Sequence, residues 1–487
     1  MEHRERISSM VVALVAATLA CAQWSFTVDP TFQTQITQQN VNDLLLNEDG
    51  TVIASGVMGF PSEIGDKRLV RLLPNGVRDD TFYNSGLGGS KLVRWQDRFY
   101  AGPYPRRILA SGQQDPSFIG LNLGPYFSSL QFGDYHVYPD GRIVISGSHQ
   151  LSDSIRGFQG RYQLIWFTDQ GYLDTTRTHR TGGNCAVYRL KELPNGQFIC
   201  SGTCGQFEGR PVDWIFRVHA DGTPDTTFRT GVYIGSAFDF LPLSDGRVYA
   251  AGNFRRTQAP QDTLRLVRFL PNGDLDPTFN IPQFTNGSIP GIFGSYGVSV
   301  RKWLDGNLMV SGKFQFVNGQ PRGGICLLDT NGAVLPAFAN SGVGPFEYGG
   351  LTYASIERFA YDTANAQLYI CGAYNGYTDG VTNATEQRFV TRLHVQQIIT
   401  GQRPVASAQE GLRVYPNPAS GMVTVVLGPV PPKAQLVLRD AVGREHLRVP
   451  MPGSSIVLDL DALANGIYLA EVWSRGTRVQ IERLVVE

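Results

Sequence analysis

Leu266-Val267-Arg268-Phe269-Leu270-Pro271-Asn272-Gly273-Asp274-Leu275-Asp276-Pro277-Thr278-Phe279 is the stretch whose reading decides the fold. It is an apolar strand, an Asn-Gly turn that accepts positive φ, and a short closing phrase, Asp-Pro-Thr-Phe. The phrase recurs as Asp29-Pro30-Thr31-Phe32, Asp79-Asp80-Thr81-Phe82, Asp115-Pro116-Ser117-Phe118, Asp174-Thr175-Thr176-Arg177 and Asp225-Thr226-Thr227-Phe228. A degenerate copy, Leu335-Pro336-Ala337-Phe338, ends the series. From Phe32 to Phe338 the mean period is about 51 residues, close to the roughly 40–50 of propeller repeats.

Each period has one grammar. An apolar strand meets a turn such as Asp49-Gly50, Asp140-Gly141, Asn195-Gly196, Asp245-Gly246 or Asp305-Gly306. A second strand ends in a small residue and Gly, as at Ala251-Gly252. After a variable loop a third strand reaches a second turn, Asn75-Gly76, Gln170-Gly171, Asp221-Gly222 or Asn331-Gly332. Two hairpins per period predict four strands, which is one blade. So small a sheet is marginal alone and must bury its faces on its neighbours. Closing the sheets into a ring also removes exposed edges. Helical repeats would need a 3.6-residue periodicity that is absent here. The expected fold is all-β: a seven-bladed β-propeller of four-stranded blades, residues 23–396, followed by a small β-sandwich. The second copy is short, with Gln96-Asp97 in place of its first turn, and the count of seven leaves six or eight open.

The closing phrase, with Arg-Leu-x-x-x-Gly before it, resembles the delta-60 repeat family of β-propellers over roughly residues 24–396. That resemblance implies a fold and says almost nothing about activity.

Of 487 residues, 42 are Lys or Arg and 42 are Asp or Glu. Zero net charge argues against nucleic acid or an anionic membrane as a broad electrostatic partner. At the N-terminus, Arg4 and Arg6 precede an uncharged apolar run from Met10 to Ala20. Such a run is too short for a bilayer core of about 30 Å. With small residues at Ala20 and Ala22, residues 1–22 read as a signal peptide, and the mature chain is expected to begin at Gln23. Anchoring through Cys21 as a lipoprotein is the rival reading, but Leu19 stands one position off the usual lipobox. No other stretch is apolar and long enough to span a membrane, so no transmembrane segment is expected after signal removal.

Residues 397–411 read as a polar linker, and 412–487 as a separate domain of short strands: 423–427, 434–439, 456–460, 467–473 and 480–486. Its ordered motifs are Tyr415-Pro416-Asn417-Pro418, Asp440-x-x-Gly443-Arg444, Leu458-Asp459-Leu460 and Leu463-x-x-Gly466-x-Tyr468. They closely resemble the type A C-terminal sorting domain of the type IX secretion system. The resemblance implies a sorting signal carried by Pro416, Asn417, Pro418, Gly443, Gly466 and Tyr468. It implies the type IX machinery of a Bacteroidetes-type bacterium as partner. The cargo would then be attached to the outer cell surface or released.

An oxidising route draws attention to cysteine. Five remain in the mature chain, so at least one is unpaired. Cys371 falls in the small-residue slot before Gly372 and Cys200 in the neighbouring apolar slot, and both read as small buried hydrophobes. Cys185 and Cys204 fall near opposite each other across the Asn195-Gly196 hairpin, a spacing that allows a disulfide. Cys200-x-x-x-Cys204 has neither a second pair nor a neighbouring His, so no metal is expected. The recurring aspartates read as turn caps bonding backbone N–H groups. His136, His149, His179, His219 and His394 stand singly, and no nucleophile elbow, P-loop or zinc helix motif occurs. No catalytic residue or cofactor is assigned, and an enzyme is not expected. Paired carboxylates meeting only in space remain the one enzymatic route. Candidate binding residues lie in the loops after the second strands: Phe207 and Arg210; Phe254, Arg255 and Arg256; Phe314 and Arg322. The expected function is a secreted or surface scaffold binding protein or glycan. The alternatives are a polysaccharide hydrolase or lyase with its site in the propeller funnel, and a structural envelope component.

Overall fold

The computed structural model describes residues 22–83, 86–121, 126–287, 296–399, 412–428 and 430–487. The expected signal peptide lies outside them except for Ala22, and so does the expected linker from residue 400 on. The chain divides into two compact units, Met1–Ile399 and Thr400–Glu487.

The first unit is the expected all-β propeller. Among the described residues, seven principal antiparallel sheets follow one another, beside three small ones built from strands of two or three residues. The fifth is representative: Ile234–Pro242, Val248–Arg255 and Leu264–Phe269, paired in chain order. Neighbouring sheets pack on each other, and the last packs on the first. Seven separate apolar clusters fill the junctions, one each. The middle strands explain this. Each is buried on both faces, and alternate residues serve alternate junctions. Ile53 packs toward the second sheet and Ala54 toward the seventh; Ile199 packs toward the fifth and Cys200 toward the third.

Four strands per blade needs correction. Sheets one to six have three strands each, and the closing phrase touches the third strand only through single bridges such as Leu72↔Arg78, Val218↔Pro224 and Phe269↔Leu275. The ladder stops because the Asp of the phrase turns the chain. Asp276 Oδ1 accepts the Thr278 N–H at 2.9 Å and the Thr278 hydroxyl at 2.7 Å. The seventh sheet has five: the short strand Gly342–Val343 is added to its middle strand, and a further strand comes from the other end of the unit. Ala22–Val28 pairs antiparallel with Asn383–Ile399, with Trp24 opposite Gln397 and Val28 opposite Leu393. The ring is therefore closed by strand pairing between its two ends. Gln397, assigned to the linker by sequence, is part of that closing pair.

Cys185 and Cys204 are joined by a disulfide with Cα atoms 4.9 Å apart, while Cys200, Cys326 and Cys371 are buried free thiols. Burial pushes the Cys326 thiol up to about 12.

The second unit has two sheets around one apolar core. One comprises Arg413–Tyr415, Met422–Val426 and Ser455–Asp459; the other Glu445–Pro450, Gln435–Asp440, Gly466–Ser474 and Thr477–Val486. The strands at 413–415 and 445–450 were not expected from sequence. The second of these alternates with exposed charges and lies at a sheet edge.

Candidate functional site

The recurring aspartates form buried locks at the outer ends of the blades. In five sheets an Arg on the third strand reaches the Asp of the closing phrase: Arg71–Asp79, Arg107–Asp115, Arg217–Asp225, Arg268–Asp276 and Arg392–Asp29. The guanidinium also donates to a backbone carbonyl of the next sheet's turn, as Arg217 does to Pro271 at 3.0 Å and Arg107 to Asp169 at 2.7 Å. It lies over the Phe of its own phrase, 4.7 Å from the Phe228 centroid in the Arg217 case, a cation–π contact. Burial alone would raise these carboxyls. Bonds from the residue two places on and then from Arg outweigh burial and hold Asp115 and Asp225 at about 2. The two irregular copies obey the same physics. Sheet three exchanges the roles, with Trp166 on the strand and Arg177 over it at 5.9 Å. Sheet six replaces both charges with Leu327 and Leu335, which keep the backbone bond at 2.9 Å. The aspartates are thus structural, and in the five Arg-paired copies both carboxylate oxygens are occupied.

The cavity with the richest chemistry lies where the first strands of all seven sheets converge. Six of these strands carry a register shift, at Val41/Asp43, Phe132/Tyr135, Val187/Arg189, Ala237/Asp239, Gly297/Ser299 and Ile356/Arg358. A bulge adds a residue and re-aims a side chain. Here it turns polar residues inward from apolar strands. Asp43, Asp134 and Asp239 stand in sheets one, three and five. Lys91, Arg189, Arg301 and Arg358 come from sheets two, four, six and seven. The funnel they line has a volume of about 630 Å³, with Phe132, Phe238 and Phe359 among its walls.

Each of the three aspartates clasps two sheets. Each accepts the next residue's N–H and one from the following sheet: Asp43 from Leu44 and Leu92, Asp134 from Tyr135 and Leu190, Asp239 from Phe240 and Val300. Their charge environments differ. Lys91 Nζ lies 2.8 Å from Asp134, and Arg301 pairs with Asp239. Asp43 has no such ion pair among the described residues. Burial raises its pKa, and Arg358 and the two N–H bonds offset this only in part. At Asp239 burial is outweighed by Arg301 and then Arg358, so its pKa is lowered. A carboxyl with a raised folded pKa loses stability as pH rises through the carboxylate range; one with a lowered pKa gains it. Asp43→Asn is therefore expected to leave the melting temperature at pH 7 unchanged or higher, and Asp239→Asn to lower it. Equal losses in a thermal scan of both variants would contradict this electrostatic reading.

The loop residues singled out by sequence do not converge. Phe207, Phe254 and Phe314 are buried in three different inter-blade cores, because an aromatic next to a middle strand has a junction to fill. Arg322 is buried too and donates to Pro321 and Leu335 carbonyls. As ligand contacts these four residues are corrected; only Arg210 and Arg256 are exposed, and Arg255 is half-buried. Sequence reading named the funnel as an alternative site but singled out none of the residues that line it. Its one signal was a charge breaking each first strand after an apolar start, as in Phe238-Asp239.

In the C-terminal unit the motif residues shape the sandwich. Asn417 donates to Arg483 O at 2.6 Å and accepts from Val485 N at 2.9 Å, tying the Pro416-Asn417-Pro418 segment to the last strand. Gly443, with φ of 85°, completes a turn held by Asp440. Tyr468 is buried and donates to Ala464 O at 2.9 Å. Gly466 begins the strand that carries Tyr468.

The architecture is that of an exported β-propeller with an appended sorting domain. Residues 46–82, 243–279 and 304–338 match the family described as a domain of unknown function (DUF5122) beta-propeller, and 413–487 match the secretion system C-terminal sorting domain. The chain therefore carries DUF5122 propeller repeats and a type IX sorting tail, which directs it to the cell surface or the medium. Among the described residues no helix is long and apolar enough to cross a membrane. No curated protein matches the chain. Similar solved structures include PorZ, a surface component of the type IX secretion system of Porphyromonas gingivalis. It is 13% identical with a TM-score of 0.34, and the match covers 92% of this chain and 66% of PorZ. This chain thus spans just under two thirds of PorZ. A protein of unknown function from Bacteroides caccae is 13% identical with a TM-score of 0.32, over 63% of this chain and 97% of that one. A gluconolactonase from Xanthomonas campestris is 13% identical with a TM-score of 0.29, over 76% and 97%. The fold assignment rests on the strands and repeats themselves.

Proposed function

We propose that the mature propeller is a binding module for an extracellular glycan or protein, held at the cell surface or released. The observation that carries this reading is the funnel: a cavity of about 630 Å³, lined from every sheet, combining partly exposed Phe132, Phe238 and Phe359 with charged side chains. Its volume falls within the roughly 300–1,000 Å³ of small-ligand sites. Aromatic walls give stacking area, and fixed charges give orientation. The fixed clasping of Asp43, Asp134 and Asp239 between sheets favours binding over catalysis, because a general acid or base needs a free oxygen facing substrate. A glycan array and a protein-binding screen on the mature chain test this. Retention of a ligand without turnover is expected, and steady release of cleaved polysaccharide would favour a hydrolase or lyase instead. Absence of any ligand would favour the structural envelope role.

A further inference from the structure

The funnel's charges do not all neutralise one another. Five cationic side chains face four carboxylates in its lining. Three of those carboxylates, on Asp43, Asp134 and Asp239, already receive backbone N–H groups from two sheets. Lys91 and Arg301 are paired with two of them, while Arg189 and Lys191 form no ion pair among the described residues. Arg189 donates to two backbone carbonyls, Phe238 O and Tyr188 O, both at 2.9 Å, and to no carboxylate among the described residues. Lys191, two residues on along the same strand, lines the cavity with its side chain open to water and without a hydrogen bond or ion pair among the described residues.

We infer that the funnel binds a small anionic group, the carboxylate or sulfate of an acidic sugar, with Lys191 and Arg189 as its principal contacts. This deepens the binding reading above and rests on it. An ammonium and a guanidinium one strand-repeat apart, in a cleft walled by low-dielectric protein, offer convergent donors that a carboxylate or sulfate oxygen can accept. The field at Lys191 agrees. Partial desolvation by the funnel walls, then the Arg301 charge, and also Lys91, lower its pKa, and Asp239 and Asp134 offset this only in part. A bound anion would relieve that field. Phe238, whose carbonyl already holds Arg189, would place a ring beside the charged group, where a sugar face can stack.

The test is calorimetric titration of the mature full chain with trigalacturonate, with its neutral counterpart galactotriose, and with inorganic sulfate. Trigalacturonate is expected to bind at least about ten-fold more tightly than galactotriose, the size of one charge-assisted contact. Its affinity should fall as salt rises from 50 mM to 500 mM. Lys191→Ala should weaken it by about ten-fold and Lys191→Glu should abolish it; Lys302→Ala, whose side chain lines a different cavity although it follows Arg301 in the chain, should change nothing. Lys191 has no structural partner, so both variants should melt with the parent chain, which a thermal scan checks. Sulfate binding that is as tight as trigalacturonate and competes with it would assign the site to a free inorganic anion and overturn the sugar part. Equal affinity for the neutral and acidic sugars, unmoved by Lys191→Ala, would overturn the anionic site while leaving a glycan-binding propeller. Failure of trigalacturonate and sulfate to bind would overturn the anionic site as well, and a ligand emerging from the array would then keep the broader reading.

Discussion

Arg392→Ala is expected to destabilise the propeller by about 3–5 kcal/mol, the usual result of stripping one partner from a buried ion pair. Arg392 and Asp29 are 363 residues apart in sequence and buried together, with side chains 9% and 3% exposed. The Arg392 guanidinium gives Nε to Asp29 at 2.7 Å, Nη1 to Pro74 O at 2.7 Å and Nη2 to the Thr31 hydroxyl at 3.0 Å, and lies 4.9 Å from the Phe32 centroid. One side chain thus fastens the N-terminal strand, the seventh sheet and the first sheet. Removing it leaves the Asp29 carboxylate buried with only the His394 imidazole, 3.5 Å away, as a basic neighbour. Denaturant unfolding measures the loss. Hydrogen exchange should show the amides of Ala22–Val28 released first, because that strand has only the seventh sheet as ladder partner. The double variant Arg392→Leu with Asp29→Leu is expected to recover most of the loss, since the sixth sheet already uses Leu327 and Leu335 at these positions. A single-variant loss below about 1 kcal/mol would mean that the pair is no stronger than an exposed one.

The same locks set an acid limit. The folded carboxyls of Asp115 and Asp225 sit at about 2, below the unfolded value of about 3.9. Their contribution is complete above that unfolded value and is lost as pH falls toward 2. Urea unfolding across this window should show stability falling with a steeper slope in the parent than in Arg217→Leu with Asp225→Leu, which has one lock fewer.

These locks also mark how far the sequence could be read. The repeat, its turns and its export tail are visible because each depends on local chemistry: Gly at positive φ, Asp bonding two residues on, alternating apolar residues. The Arg–Asp pairing has a constant eight-residue spacing within the chain, from Arg71–Asp79 to Arg268–Asp276, so it too was visible, although its purpose required knowing which strand ends adjoin. The residues that line the funnel were not readable. A bulge breaks the two-residue alternation at the point where the inward side chain is chosen, and the charges there differ from sheet to sheet: Asp43, Lys91, Asp134, Arg189. Charges that complement each other between blades leave no repeat within the chain. The loops misled for the opposite reason. Phe207, Phe254 and Phe314 sit in variable connections, yet a junction between two sheets needs apolar volume beyond the ends of the ladder.

The bulges rest on a second constraint, and Gly372→Ala tests it. In the middle strand of the seventh sheet, a Cβ at Gly372 would lie 2.0 Å from Ser355 O and 3.0 Å from Ile356 Cα, both backbone atoms of the bulged first strand. Equivalent positions are as tight, with 2.2 Å at Gly56, 2.1 Å at Gly202 and 2.3 Å at Gly252, each to a carbonyl oxygen. The small-residue-plus-Gly ending of the middle strand is therefore the imprint of the bulge across from it. No rotamer change relieves a clash with backbone. Gly372→Ala should thus cost at least the upper end of the roughly 1–3 kcal/mol of ordinary overpacking. Gly205→Ala, where nothing lies within 4 Å, should be close to neutral and serves as the control in the same denaturation series. Because the displaced segment immediately precedes Glu357 and Arg358, the variant should also disturb the funnel, and whatever ligand the parent retains should bind more weakly. If Gly372→Ala unfolds with the Gly205→Ala control, the first strand yields without strain, and the bulge is then not what fixes Arg358 on the funnel wall.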